Sequence, residues 1–169
     1  MKRTMLVFDK IDETFFFIAK IGVFLMMLLT TFDSLSRYLF NQPIVGAYEF
    51  TERYLMIAIV YLSFSYVMKL EGHIRVDMII EKLPPKITIT LNIFYYLLGA
   101  CLMFVIGYQG MLSTIEAWEH NYVSAGVIPW PTWASVIFVP IGAFMFTIRL
   151  ILMSISNFID IMKWSDQIN

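Results

Sequence analysis

The sequence predicts an all-α integral membrane protein with four transmembrane helices and both termini on the cytoplasmic side. A short amphipathic helix is expected in the interface between the second and third spans, and residues 1–169 are read as a single membrane domain. Three observations carry this expectation. The chain is 59% hydrophobic and 15% charged, against roughly one quarter charged in a soluble domain. Two long runs, Ile87 to Ile115 and Asn121 to Ile148, hold no formal charge; each exceeds the roughly 20 residues that an α-helix needs to cross about 30 Å of hydrocarbon. Lysine and arginine, finally, change sides in step with the apolar segments.

The first span is placed at residues 14–36, between the charged N-terminal flank and Arg37. It contains Lys20, close enough to its start for the long side chain to snorkel to the interface, and Asp33 near its far end. It lacks a small-residue cleavage site there, so it is expected to be retained rather than removed as a signal peptide. The second span, residues 50–68, opens with Glu52 and Arg53. The third, 87–112, carries Gly99, Gly107 and Gly110, a smooth surface for a neighbouring helix. The fourth, 133–157, contains Pro140 and Gly142, which should bend it. Tyr122, Trp130 and Trp133 gather at the outer end of the fourth span and Trp164 lies past its inner end, as aromatic belts do.

Orientation follows from the cations. The N-terminal flank has Lys2, Arg3 and Lys10; the second connection has Lys69, Arg75, Lys82 and Lys86; the C-terminal end has Arg149 and Lys163. The first connection offers Arg37 and Arg53 and the third none, which puts the termini and the second connection inside. Net charge is −1 without a basic tail, against a nucleic-acid partner. One cysteine and two histidines are too few for a metal-site spacing, and no phosphate-binding glycine loop or nucleophile elbow occurs. No cofactor is expected in this chain, and no enzymatic activity.

Charged residues concentrate in two places. Asp33 and Arg37 are four apart and can pair on one helix face; Glu49 and Arg53 repeat the spacing, with Glu52 beside them. Such a cluster reads either as a cation or proton relay or as neutralising pairs that fix helix ends and dock another protein. The arginine within reach of most carboxylates favours the second reading. The other place is "LEGHIRVDMIIEKLPP", Leu70 to Pro85. Gly72 can cap the second helix, and Val76, Ile79, Ile80 and Leu83 share the face of a short interfacial helix at about 75–83, ended by Pro84 and Pro85. Asp77 belongs to its wet face, and His73 reads as an interfacial hydrogen-bonding residue, since His120 is placed across the membrane. The uncharged stretch "NYVSAGVIPWPTW" reads first as a rigid, membrane-anchored return into the fourth helix, the commoner meaning of such a segment; an outward surface for an external partner is compatible with it.

Three segments together resemble a known family. "SRYLFNQPIVGAYEFTERY", then "EGHIRVDMIIEKLPP", then "PWPTWASVIFVPIGA" are similar to the small membrane subunit, DctQ/SiaQ-like, of tripartite ATP-independent periplasmic (TRAP) transporters. The most specific parts are Asn41 and Pro43 followed by Glu49, and the group Gly72, His73, Ile74, Val76 and Asp77. The resemblance covers nearly the whole chain and leans toward the sialic acid members. It implies a scaffold subunit of a sodium-coupled importer of an organic acid, of the sialic acid or C4-dicarboxylate class, in the bacterial inner membrane. A large membrane subunit would carry the substrate and sodium sites, and a periplasmic binding protein would deliver the solute. The chain is expected to be separate from the large subunit rather than fused to it. Two other classes compete. A membrane anchor of a respiratory enzyme needs histidines inside facing spans, and a small dimeric exporter needs an unpaired carboxylate deep in the first helix.

Overall fold

The computed structural model describes residues 2–70 and 85–166. Among them the chain is almost wholly helical, in the order α1 (Lys2–Phe40), α2 (Ala47–Phe50), a π-helical turn (Thr51–Leu55), α3 (Met56–Lys69), α4 (Pro85–Glu119), α5 (Trp133–Val136) and α6 (Phe138–Asp166). The expected interfacial helix near 75–83, with Gly72, His73 and Asp77, lies outside the described residues.

Both long helices before a loop stop at an asparagine. Asn41, φ 53°, and Asn121, φ 49°, take the left-handed conformation that asparagine tolerates better than most side chains. After α4 the Tyr122 N–H donates to the Ala117 carbonyl at 3.0 Å and the Asn121 N–H to Trp118 at 3.3 Å, the paired bonds of a Schellman ending. α1 ends with the Asn41 N–H on the Arg37 carbonyl at 3.1 Å, and Pro43 follows. The boundary between α5 and α6 has an equally local cause. Pro140 has no N–H to offer the Val136 carbonyl and its ring crowds that turn, so the helix is interrupted at Ile137. The expected disturbance of the last helix thus takes the form of a local lapse in regular helix one turn before the proline, where Ile137 still keeps right-handed helical angles.

Three helices are long and apolar enough to cross a membrane: Phe8–Phe40, Ile87–Glu119 and Trp133–Ile159. They contain the expected first, third and fourth spans. The expected second span falls on α2, the π turn and α3, and α3 alone has 14 residues. At about 1.5 Å per residue that is roughly 21 Å, short of the hydrocarbon thickness. The joints at Phe50, Thr51, Leu55 and Met56 nevertheless keep right-handed helical angles, so the backbone runs as helix from Ala47 to Lys69.

The helices pack in the lateral order α1, α3, α6, α4. Between α3, α4 and α6 the core is Met68, Tyr96, Ala100, Phe146 and Leu150, joined by Phe64, Met103 and Met153. The three glycines singled out on α4 all face α6: a Cβ at Gly99 would meet Leu150, at Gly107 Ala143 and Phe144, at Gly110 Val139 and Pro140. The outer faces of α1 and α4 are left bare, with Phe17, Phe24 and Met27 or Phe94, Leu98 and Phe104 more than half exposed, as a lipid environment allows. Thr30, Thr31, Thr114 and Thr147 turn their hydroxyls onto carbonyls of their own helices, so these polar groups need no water.

α3 and α6 approach closely at Gly142 of α6, where an added Cβ would collide with the carbonyl of Tyr61 on α3. Backbone cannot step aside as a flexible side-chain tip can. Gly142→Leu should therefore push α3 and α6 apart and lower stability by about 1 to 3 kcal/mol. Thermal unfolding in detergent checks this; an unchanged midpoint would mean that the two helices do not meet there.

Candidate functional site

Two polar clusters occupy opposite ends of the bundle. At the end carrying the loops 41–46 and 120–132, Asp33 does two jobs: one oxygen accepts from Arg37 Nε at 2.7 Å and the other from the backbone N–H of Ile44 at 2.8 Å. Ser36 Oγ donates to the Gln42 carbonyl at 2.8 Å. The loop holding Asn41 and Pro43 is thus folded back against the last turns of α1, and Gly46, φ 80°, starts α2.

Glu49 departs from expectation. Its carboxylate does not pair with Arg53; it accepts from the backbone N–H of Val127 at 3.0 Å, across the bundle. An exposed pair with Arg53 would gain little in a wet environment, so little opposes the turn of the carboxylate toward the hairpin. Gly126 allows the approach, since any Cβ there would fall on the Glu49 carboxylate. Glu52 and Arg53 are exposed on the same end and form no ion pair with each other or with Glu49 among the described residues.

The segment from Tyr122 to Thr132 is a narrow hairpin closed by the Ser124 N–H on the Trp130 carbonyl at 2.8 Å and the Thr132 N–H on Tyr122 at 2.9 Å. Trp130 is drawn inward, with ring centroids 5.6 Å from Phe50 and 6.0 Å from Tyr54, and the Tyr54 hydroxyl donates to the Pro131 carbonyl at 2.5 Å. Trp133 stacks edge-on with Trp118 at 4.6 Å. Trp130 thus wedges between the hairpin and the π turn. Asp33, Arg37, Asn41, Pro43, Glu49, Glu52, Arg53, Trp130 and Trp133 all lie at this end. Beside them a cleft of about 430 Å³ opens between α1 and the α2–π segment, walled by Met26, Leu29 and Met56 and edged by Asp33, Ser34 and Glu52.

The second cluster escaped sequence reasoning. Asp12 of α1, 1% exposed, binds Arg149 of α6, 6% exposed, through both Nη2 and Nε, the latter at 3.2 Å. Ser65 of α3 donates to the same carboxylate oxygen at 2.9 Å. Arg149 Nη2 also reaches Asp9 at 2.7 Å, and Lys69 lies 3.3 Å from Asp9 and 3.6 Å from Glu13. Arg149 lies inside the candidate span Trp133–Ile159. Its partners Asp9 and Asp12 lie toward the N-terminal end of α1, so a buried, paired charge ties α1, α3 and α6 together at that end of the bundle. Such an arginine is tolerable because its donors are met by carboxylates. The legible signal was the spacing of Asp9, Asp12 and Glu13, which puts three acids on one face of α1.

Among the described residues no three histidine, cysteine, aspartate or glutamate side chains converge to hold a metal ion. His120 stacks on Tyr122 at 5.3 Å, and its Nδ1 lies 3.1 Å from the Glu116 carbonyl oxygen. What the geometry does provide is rigidity at both ends and a sculpted, partly charged surface at one.

The sequence model of the family described as tripartite ATP-independent periplasmic transporters, DctQ component, matches residues 26–159. The chain belongs to the DctQ family. It is thus a membrane component of a TRAP transporter, in a family of transporter parts rather than enzymes. No match was found among curated proteins. The matched stretch takes in the whole loop-end cluster of this DctQ chain, and Arg149 with it, whereas Asp9 and Asp12 lie before it.

Proposed function

We propose that this DctQ chain is the small, stationary subunit of a sodium-coupled, binding-protein-dependent importer of an organic acid. It would pair with a large membrane subunit that holds the substrate and sodium sites. Family membership supports the class. The observation that carries the scaffold role is the filled interior: Met68, Tyr96, Ala100, Phe146 and Leu150 occupy the space between α3, α4 and α6, and the buried charges Asp12 and Arg149 are bound to each other. A solute path needs polar groups that are free to exchange partners, and here the buried guanidinium of Arg149 is held by Asp12 and Asp9.

In this reading the helix from Ala47 to Lys69 is the second of four spans, an interfacial helix near 75–83 follows it, and both termini face the cytoplasm of a bacterial inner membrane. The loop end, with Arg37, Glu52 and Arg53 exposed on it, then faces the periplasm, where a soluble binding protein docks. The bare faces of α1 and α4 are the surfaces left for lipid and for the large subunit. Sialic acid or a C4-dicarboxylate is the transported class. The test is affinity purification of the tagged chain from membranes of cells that also express the neighbouring membrane genes. Recovery of a large, many-helix protein in equal amount is expected; recovery of the chain alone would contradict the pairing. The ligand that co-purifies with the secreted binding protein of the same system identifies the solute, and a ligand that is not a carboxylate would overturn the organic-acid class.

A further inference from the structure

Lys20 carries a charge that the bundle does not neutralise. It projects from the apolar, outward face of α1 near Phe17, Ile21 and Phe24, which are 59%, 46% and 62% exposed. No carboxylate lies within ion-pair distance of it among the described residues, whereas Lys69, at the same end, is held by Asp9 and Glu13. The ammonium is turned back along the helix: it sits 5.0 Å from the Phe16 ring and 5.6 Å from the Phe17 ring, four and three residues toward the N-terminus. It therefore points toward the charged turn of Asp12 and Glu13 and away from the apolar stretch that follows.

The surroundings form a shallow seat. Phe16 stacks on Tyr66 of α3, with ring centroids 4.2 Å apart and planes within 15°, and Lys69 lies 5.8 Å from the Tyr66 ring. Two cations and two stacked rings thus line the seam between α1 and α3 toward the N-terminal end of α1. We infer that this seam binds the phosphodiester of an anionic phospholipid, with Lys20 as the charge partner, Tyr66 bordering the headgroup and the acyl chains lying along Phe17, Ile21 and Phe24.

A lipid phosphate is favoured over a carboxylate of a partner helix by direction: the ammonium runs parallel to α1, toward the surface, and not sideways toward a neighbour. It is favoured over free phosphate by place, since an ion from water would have to enter an apolar face without chains of its own to bury. The leaflet is the one bordering the N-terminal end of α1; only its assignment as cytoplasmic rests on the orientation proposed above.

The full chain in nanodiscs of phosphatidylcholine doped with phosphatidylglycerol, extracted and washed in mild detergent, provides the test. Wild type and Lys20→Arg should retain phosphatidylglycerol over phosphatidylcholine by mass spectrometry, and Lys20→Gln should retain about fivefold less, the loss of one near-surface charge contact. Circular dichroism of Lys20→Gln should match wild type, since within the chain the ammonium lies against the exposed side of α1, beside the Phe16 and Phe17 rings of its own helix, and forms no ion pair among the described residues. Equal retention by Lys20→Gln, no preference between the two lipids, or displacement by millimolar inorganic phosphate would each overturn the inference. Loss of a partner protein from Lys20→Gln with lipid retention unchanged would do so as well, by assigning the charge to a protein carboxylate.

Discussion

Asp12→Ala is expected to be the most damaging single substitution in the bundle, costing about 3 to 5 kcal/mol, while adding Arg149→Met to it should recover most of the loss. The asymmetry is physical. Removing the carboxylate leaves a guanidinium buried against α1 and α3 with only Asp9 to meet it, whereas removing both partners leaves a space that a methionine fills. Arg149→Met alone should also be harmful, because Asp12 then keeps only the Ser65 hydroxyl. Exchange of the pair, Asp12→Arg with Arg149→Asp, should restore part of the stability, limited by the changed reach to Asp9. Thermal unfolding of the detergent-solubilised variants reads these differences. Equal loss in the single and double variants would show that the two residues do not act as a pair.

The second large effect concerns the loop end. Glu49→Ala removes the acceptor of the Val127 N–H, and Gly126→Val displaces the carboxylate by filling its seat. Each should release the hairpin from α2, with exchange of the Val127 amide in deuterated solvent at least about tenfold faster. Glu49→Gln keeps an oxygen acceptor and should show a smaller change. Arg37→Glu repels Asp33 but touches neither Glu49 nor the hairpin, so Val127 should keep its protection there. If Val127 exchanges at the same rate in Glu49→Ala as in wild type, the carboxylate does not hold the hairpin.

The two clusters differ in how far the sequence revealed them. Asp33 and Arg37 belong to one helix, where a separation of four fixes their proximity, and Asn41 with Pro43 marks the stop by local chemistry alone. The partner of Glu49 is a backbone amide 78 residues away, which no residue type advertises; only Gly126, whose lack of a side chain makes room, hints at a close approach. Arg149 was misleading for a different reason. It closes an uncharged run and so reads as a boundary marker, whereas its place in the fold is set by Asp12, 137 residues earlier, on a helix that packs beyond α3. The first, third and fourth apolar segments likewise fall in helices long and apolar enough to cross a membrane, but hydropathy was blind to the π turn at Thr51–Leu55, whose Tyr54 packs on Trp130 of the hairpin.

The central claim is that this DctQ chain supports transport without carrying the solute. Its most direct test is uptake of radiolabelled sialic acid and of a C4-dicarboxylate into proteoliposomes under an inward sodium gradient. The chain alone should give no uptake above empty vesicles, and the chain with its large subunit and the loaded binding protein should give sodium-dependent accumulation. Accumulation by the chain alone, or full activity of the large subunit and binding protein without the chain, would contradict the account.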